Sequence, residues 1–133
     1  LRIGLNKNLD FSPEDRTENI RRTAEVANLF TKAGFIVLVS LISPYRSERK
    51  KARDIRPEIF REIYIEASLE VCSKRDVKGL YAKAMKGEIK NFTGISSPYE
   101  PPEMPNLVIN TSKSSIDESV EKLEKFILKE FSF

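Results

Sequence analysis

The sequence predicts an α/β fold built on a parallel sheet. Three observations carry that prediction. Helix-like and strand-like segments alternate along the chain. One strand-like segment, FIVLVSLI (35–42), is apolar almost throughout and rich in β-branched residues, the pattern of a strand covered on both faces. Nothing repeats and no linker interrupts the 133 residues, so a single domain is expected.

Each element has its own signal. Ser12-Pro13-Glu14-Asp15 starts a helix: serine caps, proline suits the first helical position, and acids favour the positive end of the helix dipole. That helix is predicted to run to about Lys32, with Ile20, Ala24, Ala27 and Phe30 on one face and Gly34 as its stop. The strand 35–42 follows. Ser43-Pro44 is predicted to cap and open a second helix through about Ile55, made basic by Arg46, Arg49, Lys50, Lys51 and Arg53. FREIYIEA (60–67) reads as a second strand, and Ser68 caps a helix to about Lys74 in which Cys72 is expected as a small core residue. Gly79 to Lys86 reads as a short helix, and NLVINTS (106–112) as a third strand. Ser115 with Glu118 forms a capping box for a last helix that turns Ile116, Val120, Leu123 and Ile127 inward.

Composition removes whole classes of function. With one cysteine and no histidine, the chain can build neither a disulfide framework nor a Cys/His zinc site, and it cannot run serine–histidine or cysteine–histidine catalysis. A net charge of +3 does not indicate a nucleic-acid binder, although clustered cations suit an anionic small molecule. No apolar run approaches a membrane span, and the absence of a signal peptide and a cytoplasmic setting are expected.

Ligands of open α/β sheets bind beyond the carboxyl ends of the strands, and three segments are predicted to lie there. Ile42-Ser43-Pro44 offers the N–H groups of a helix start to an anion, unless Ser43 is only a cap. Arg75-Asp76-Val77-Lys78-Gly79 suits a phosphate-facing lid or a solvated charged turn. In KNFTGISSPYEPP (90–102), Phe92 sits in a polar, proline-rich loop, where it either stacks on a planar base or anchors the loop. A fourth feature is the first helix itself. Arg16 and Asn19 are one helical step apart and Phe11 precedes the cap, so an aromatic, a guanidinium and an amide converge.

The runs GLNKNLDFSPEDRTENIRRTAEVANLFTKAG, LISPYRSERKKARDI and EVCSKRDVKGLYAKAMKGEIKNFTGISSPYEPPEMP together closely resemble adenylyl-sulfate kinase, the APS kinase family, in the family's order over nearly the whole chain. The resemblance implies a three-layer parallel sheet of the P-loop kinase type. It implies transfer of phosphate from ATP, with Mg²⁺, to the 3′-hydroxyl of adenosine 5′-phosphosulfate (APS), giving PAPS and ADP in sulfate activation. It also implies a homodimer, sometimes fused to ATP sulfurylase; no nucleic-acid or membrane partner is expected, on the charge and hydropathy given above. By matching position, Arg2, Phe11, Arg16, Asn19, Ile42, Ser43, Lys78 and Phe92 resemble the APS-binding residues, with Phe92 and Phe11 on the two faces of the adenine. Lys78 matches the lid lysine that neutralises charge on the transferring phosphate, while Arg75 and Ser114 fall in segments used for ATP. Ser43 matches a serine described in bacterial members as a phosphoserine intermediate, yet in-line transfer needs no covalent step and a cap already employs Ser43.

The chain departs from the family at its start. Its five glycines, at 4, 34, 79, 87 and 94, are not followed by Lys-Ser or Lys-Thr, so the GxxxxGK[ST] phosphate loop is not in it, and neither is the DGDN motif that precedes the arginine matched by Arg2. The 133 residues are therefore expected to be the C-terminal portion of an APS kinase domain, part of a longer polypeptide, and by themselves to bind ATP poorly and transfer nothing. The rival reading is a non-enzymatic APS- or PAPS-binding regulator of a fused sulfurylase. A different nucleotide kinase would have to explain the SPEDR and FTGI strings otherwise.

Overall fold

A computed structural model describes residues 3–131. They divide into two compact units, one holding the chain up to Phe60 together with Asn91–Pro101, the other Arg61–Lys90 and the chain from Pro102.

The first unit is helical. α1 (Pro13–Lys32) starts where the sequence predicts: the Ser12 hydroxyl accepts from the Asp15 N–H at 3.1 Å, with Pro13 at the head of the helix and Glu14 and Asp15 in its first turn. Its end is closed by Gly34 at φ +91° and by Phe35, whose N–H donates to Phe30 O and whose ring meets Phe30 edge-on, centroids 6.0 Å apart. Ile20 is buried as expected, but Phe30 is 52% exposed because its partner is Phe35 at the helix end and not the core. α2 (Arg46–Ile55) packs against α1, with Thr17, Ile20 and Ala24 of one and Glu48, Ala52 and Ile55 of the other around a small cavity.

Two expectations fail here. Residues 35–42 form no strand, and Leu38 and Ile42 are 70% and 66% exposed. An apolar run becomes a strand only when another strand takes its N–H and C=O groups, and none lies beside this one among the described residues. Ser43 does not cap α2 either. It sits at φ +43°, outside the extended conformation an N-cap needs, and the residue before the helix is Tyr45, whose side chain makes no cap bond. The Arg46 N–H donates instead to the Glu100 carboxylate at 2.7 Å, so an acid distant in sequence caps the helix.

The second unit carries the sheet. β1 (Ile63–Glu66) and β2 (Leu107–Asn110) pair in parallel, Ile63 against Leu107 through Glu66 against Asn110. A parallel pair requires a long crossover; this one contains α3 (Leu69–Arg75) and α4 (Leu80–Met85). The α/β class with a parallel sheet thus holds, with two strands among the described residues where three were predicted. Ile109 is the most enclosed apolar side chain, at 2% exposure. The Ser68 cap on α3 and the Ser115–Glu118 capping box on α5 (Ile116–Glu130) form as read. The inward stripe of α5 is shorter than predicted. Leu123 and Ile127 are half-buried, but Ile116 and Val120 are 82% and 57% exposed. A helix of this length spans about 22 Å and a four-residue strand about 13 Å, so the sheet cannot cover both ends. Cys72 is half-buried, since short α3 has no fully buried face.

Candidate functional site

In the first unit, Arg16 organises the surroundings of Phe92. From the first turns of α1 its guanidinium donates three hydrogen bonds: Nε to Phe11 O (3.0 Å), Nη1 to Thr93 Oγ1 (3.0 Å) and Nη2 to Asn91 O (2.7 Å). It also lies 6.0 Å from the Phe11 ring centroid. A planar fork with five N–H groups is suited to this, and a lysine is not. The result ties the turn before α1 to both residues flanking Phe92. Phe11 is exposed and Phe92 half-buried.

The loop also holds its own shape. Phe92 O accepts from the N–H groups of Ile95, Ser96 and Ser97, and the Ser96 hydroxyl accepts from Phe92 N–H at 2.9 Å. Gly94 at φ +86° makes the tight return, its N–H reaching Ser97 O at 2.7 Å. The far end of the loop is fastened to the Ile42–Ser43 turn. Arg49 donates to Ser43 O (2.6 Å) and Glu100 O (2.7 Å), Arg46 Nε to Pro101 O (2.7 Å), and Glu100 N–H to Pro44 O (2.8 Å). Ile42 is exposed beside it, and the Arg46 N–H at the head of α2 is already engaged by Glu100.

Asn19, one helical step from Arg16, is 7% exposed, and its Oδ1 accepts from Asn6 Nδ2 at 3.0 Å. Asn6 is wholly buried. Arg22 holds the turn that carries Asn6, donating to Leu5 O (2.8 Å) and Asn8 Oδ1 (2.9 Å) while its Nε pairs with Glu18 at 2.7 Å. Hydrogen bonds from Arg21 and Arg22 hold the Glu18 carboxyl at about 2. Arg2 lies outside the described residues.

The second unit carries Arg75, Lys78 and Ser114. Arg75 donates to Thr111 O (2.6 Å) and Thr111 Oγ1 (3.1 Å), which joins the end of α3 to the end of β2. Lys78 is exposed in the turn between α3 and α4, beside Val77 at 97% exposure. Asp76 shapes that turn: its Oδ2 accepts from the Ala82 N–H at 3.0 Å, and Gly79 takes φ +64°. Burial raises the Asp76 carboxyl, but hydrogen bonds from the backbone of Ala82, Tyr81 and Leu80 outweigh it and hold it below its ordinary value. Ser114 is half-buried in the turn before α5.

Four residues here escaped sequence reasoning. Asn91 and Thr93 flank Phe92, and the polar frame around a lone aromatic was their signal. Asn6 and Arg22 gave none, because an asparagine in a polar turn and an arginine on a helix read as solvated.

Comparison with known proteins gives one family. The family model for adenylylsulphate kinase matches residues 1–110. The adenylyl-sulfate kinase of Acaryochloris marina is 56% identical over 128 residues, 96% of this chain and 62% of that protein. The Clostridium acetobutylicum adenylyl-sulfate kinase is 50% identical over 127 residues, 96% of this chain and 64% of that protein. The chain thus spans somewhat over three-fifths of these curated relatives. Among solved structures, the Mycobacterium tuberculosis APS kinase CysC, in complex with AMPPNP and APS, superposes with a TM-score of 0.91 at 44% identity, covering 96% of this chain and 75% of that one.

Proposed function

We propose a function from this premise: the chain belongs to the adenylylsulphate kinase family. Residues 1–133 form the C-terminal portion of one kinase domain whose reaction moves the γ-phosphate of ATP to the 3′-hydroxyl of APS. One observation carries the reading. Arg16 fastens Asn91 and Thr93, on either side of Phe92, to the Phe11 turn, which gives the aromatics a common polar frame. A base needs two aromatic faces, and an anion needs guanidinium and amide donors. The APS complex of the M. tuberculosis relative supports that choice of ligand, and its AMPPNP supports ATP as co-substrate.

The roles follow from phosphoryl-transfer chemistry, in which positioning and charge neutralisation do most of the work. Phe11 and Phe92 hold the adenine; Arg16, Asn19 and Arg2 hold the phosphosulfate end; the Ile42–Ser43 turn lines the same subsite. Lys78 supplies positive charge for the transferring phosphate, and Arg75 and Ser114 belong to the ATP side. Ser43 is assigned no covalent step. Mg²⁺ would supply charge neutralisation at the phosphates of ATP; among the described residues no three His, Cys, Asp or Glu side chains cluster as a metal site, and no residue here is assigned to hold it. The homodimer and an association with ATP sulfurylase rest on the family resemblance, and a cytoplasmic setting is part of the same proposal. Among the described residues no helix is long and apolar enough to cross a membrane.

Calorimetric titration with APS tests the proposal. Wild type is expected to bind, and Phe92→Ala to bind at least about tenfold more weakly, the loss of one stacked face. Wild type that does not bind APS would sink the function, and unchanged affinity in Phe92→Ala would remove Phe92 from the site.

A further inference from the structure

We propose that Asn6 is a positioning residue that fixes which side of the Asn19 amide a ligand meets. An asparagine side chain is two-faced, with a carbonyl that only accepts and an amino group that only donates. Asn6 Nδ2 donates to Asn19 Oδ1 at 3.0 Å with both residues buried. That bond turns the Asn19 carbonyl toward Asn6 and leaves the N–H pair as the face Asn19 presents. Thr23 Oγ1 fixes the backbone from below, donating to Asn19 O at 2.7 Å. Arg22 fixes the Asn6 turn from the side through Leu5 O and Asn8 Oδ1.

A second observation argues that this arrangement serves something other than stability. Asn6 Oδ1 is buried with no hydrogen-bond partner. A buried acceptor left without a partner is destabilising, and an apolar side chain would fill the turn without that penalty. What asparagine adds is a donor aimed at Asn19. Arg16, a neighbour on the same helix face, also presents only donors. Both therefore match a ligand group that only accepts, such as the phosphosulfate end of APS. This last step rests on the APS reading; the geometry of the amide pair does not.

Two nearly isosteric substitutions test it. In Asn6→Asp the new carboxylate only accepts, so the Asn19 amide must turn round and show its carbonyl outward. In Asn19→Asp the bond from Asn6 survives, but a carboxylate oxygen replaces the N–H pair. Both variants are expected to keep a cooperative thermal transition and to bind APS at least about tenfold more weakly in calorimetry. The double variant is expected to bind no worse than Asn19→Asp alone, because Asn6 acts only through Asn19. Folded Asn6→Asp with wild-type APS affinity, or losses that add in the double variant, would overturn the proposal. Should Asn6→Asp not fold, the wild type decides through its ¹⁵N side-chain amide signals: slow exchange at Asn6 Nδ2 that is lost in Asn19→Ala is expected, and slow exchange at Asn19 Nδ2 instead overturns it. Those signals also separate the two ideas. Wild type that ignores APS but shows the Asn6 protection defeats the proposed function and leaves the amide assignment standing.

Discussion

The loop 91–101 and the turn 76–79 each carry a residue to which the proposed function gives a substrate role, Phe92 in one and Lys78 in the other, and they are held in opposite ways. The loop is fastened at both ends by arginines from two helices, with bonds that join residues 75 and 77 apart in sequence at one end and 51 and 55 apart at the other. The turn is held from within, chiefly by the Asp76 carboxylate, which accepts from the N–H of Ala82 six residues on, with Val77 and Lys78 left exposed. Long-range bonds form only when the unit is folded, so they make a preformed surface. Local bonds set a shape while leaving the segment free to open. A substrate cradle needs the first property and a lid the second.

The difference can be broken most severely at Arg16. Arg16→Ala removes three bonds at once and should lower APS affinity about 100-fold, with faster hydrogen exchange at the amides of Phe92 and Ser96. Arg16→Lys should recover little of it, because an ammonium cannot span three divergent acceptors. Recovery by lysine would reduce Arg16 to a point charge.

The other fastening is tested by Arg49→Ala, which strips Ser43 O and Glu100 O of their donor. A loss of about 1–3 kcal/mol is expected by denaturant titration, together with protease cleavage near Ser96–Pro98. Unchanged stability and no cleavage would show that Arg46 and the Glu100 cap suffice.

At the turn, Asp76→Asn should speed exchange at the Leu80, Tyr81 and Ala82 amides several-fold while APS binding stays unchanged, since the effect is local. The sign with pH follows from its lowered carboxyl: the support is complete above the ordinary value of 3.8 and fades as pH falls through the lower folded value. An APS affinity that falls with Asp76→Asn would mean the two segments are not independent.

Glu18 gives the smallest effect. Its carboxyl is held at about 2 against an ordinary 4.5, so it stabilises the folded state fully above 4.5 and loses that contribution as pH drops toward 2. Thermal unfolding of wild type and Glu18→Gln should differ slightly at pH 7 and converge near pH 2. Parallel curves across that range would show that the Arg21 and Arg22 pairings contribute nothing to folding.

The sequence by itself determined what depends on neighbours in the chain. The Ser12 cap, the Ser115–Glu118 box, the Gly34 stop and the β-branched cores of β1 and β2 are set within a few residues, and all are where the sequence placed them. The sequence also singled out Phe92 in its polar loop and Arg16 beside Asn19 as candidates, and folding ties Arg16 to the residues on either side of Phe92; whether they hold a ligand is for the titrations above to decide. The tertiary structure decided everything that needs a partner from elsewhere. FIVLVSLI has the composition of a buried strand and is none here, since a strand is defined by the neighbour that takes its hydrogen bonds. Ser43 has the composition of a cap, yet Glu100 caps α2 from 54 residues away. Asn6 looks like a solvated turn residue and is wholly buried against Asn19. The physical reason is the same in each case: propensity is a property of a residue and its near neighbours, whereas the satisfaction of a hydrogen-bonding group depends on what folding brings to it.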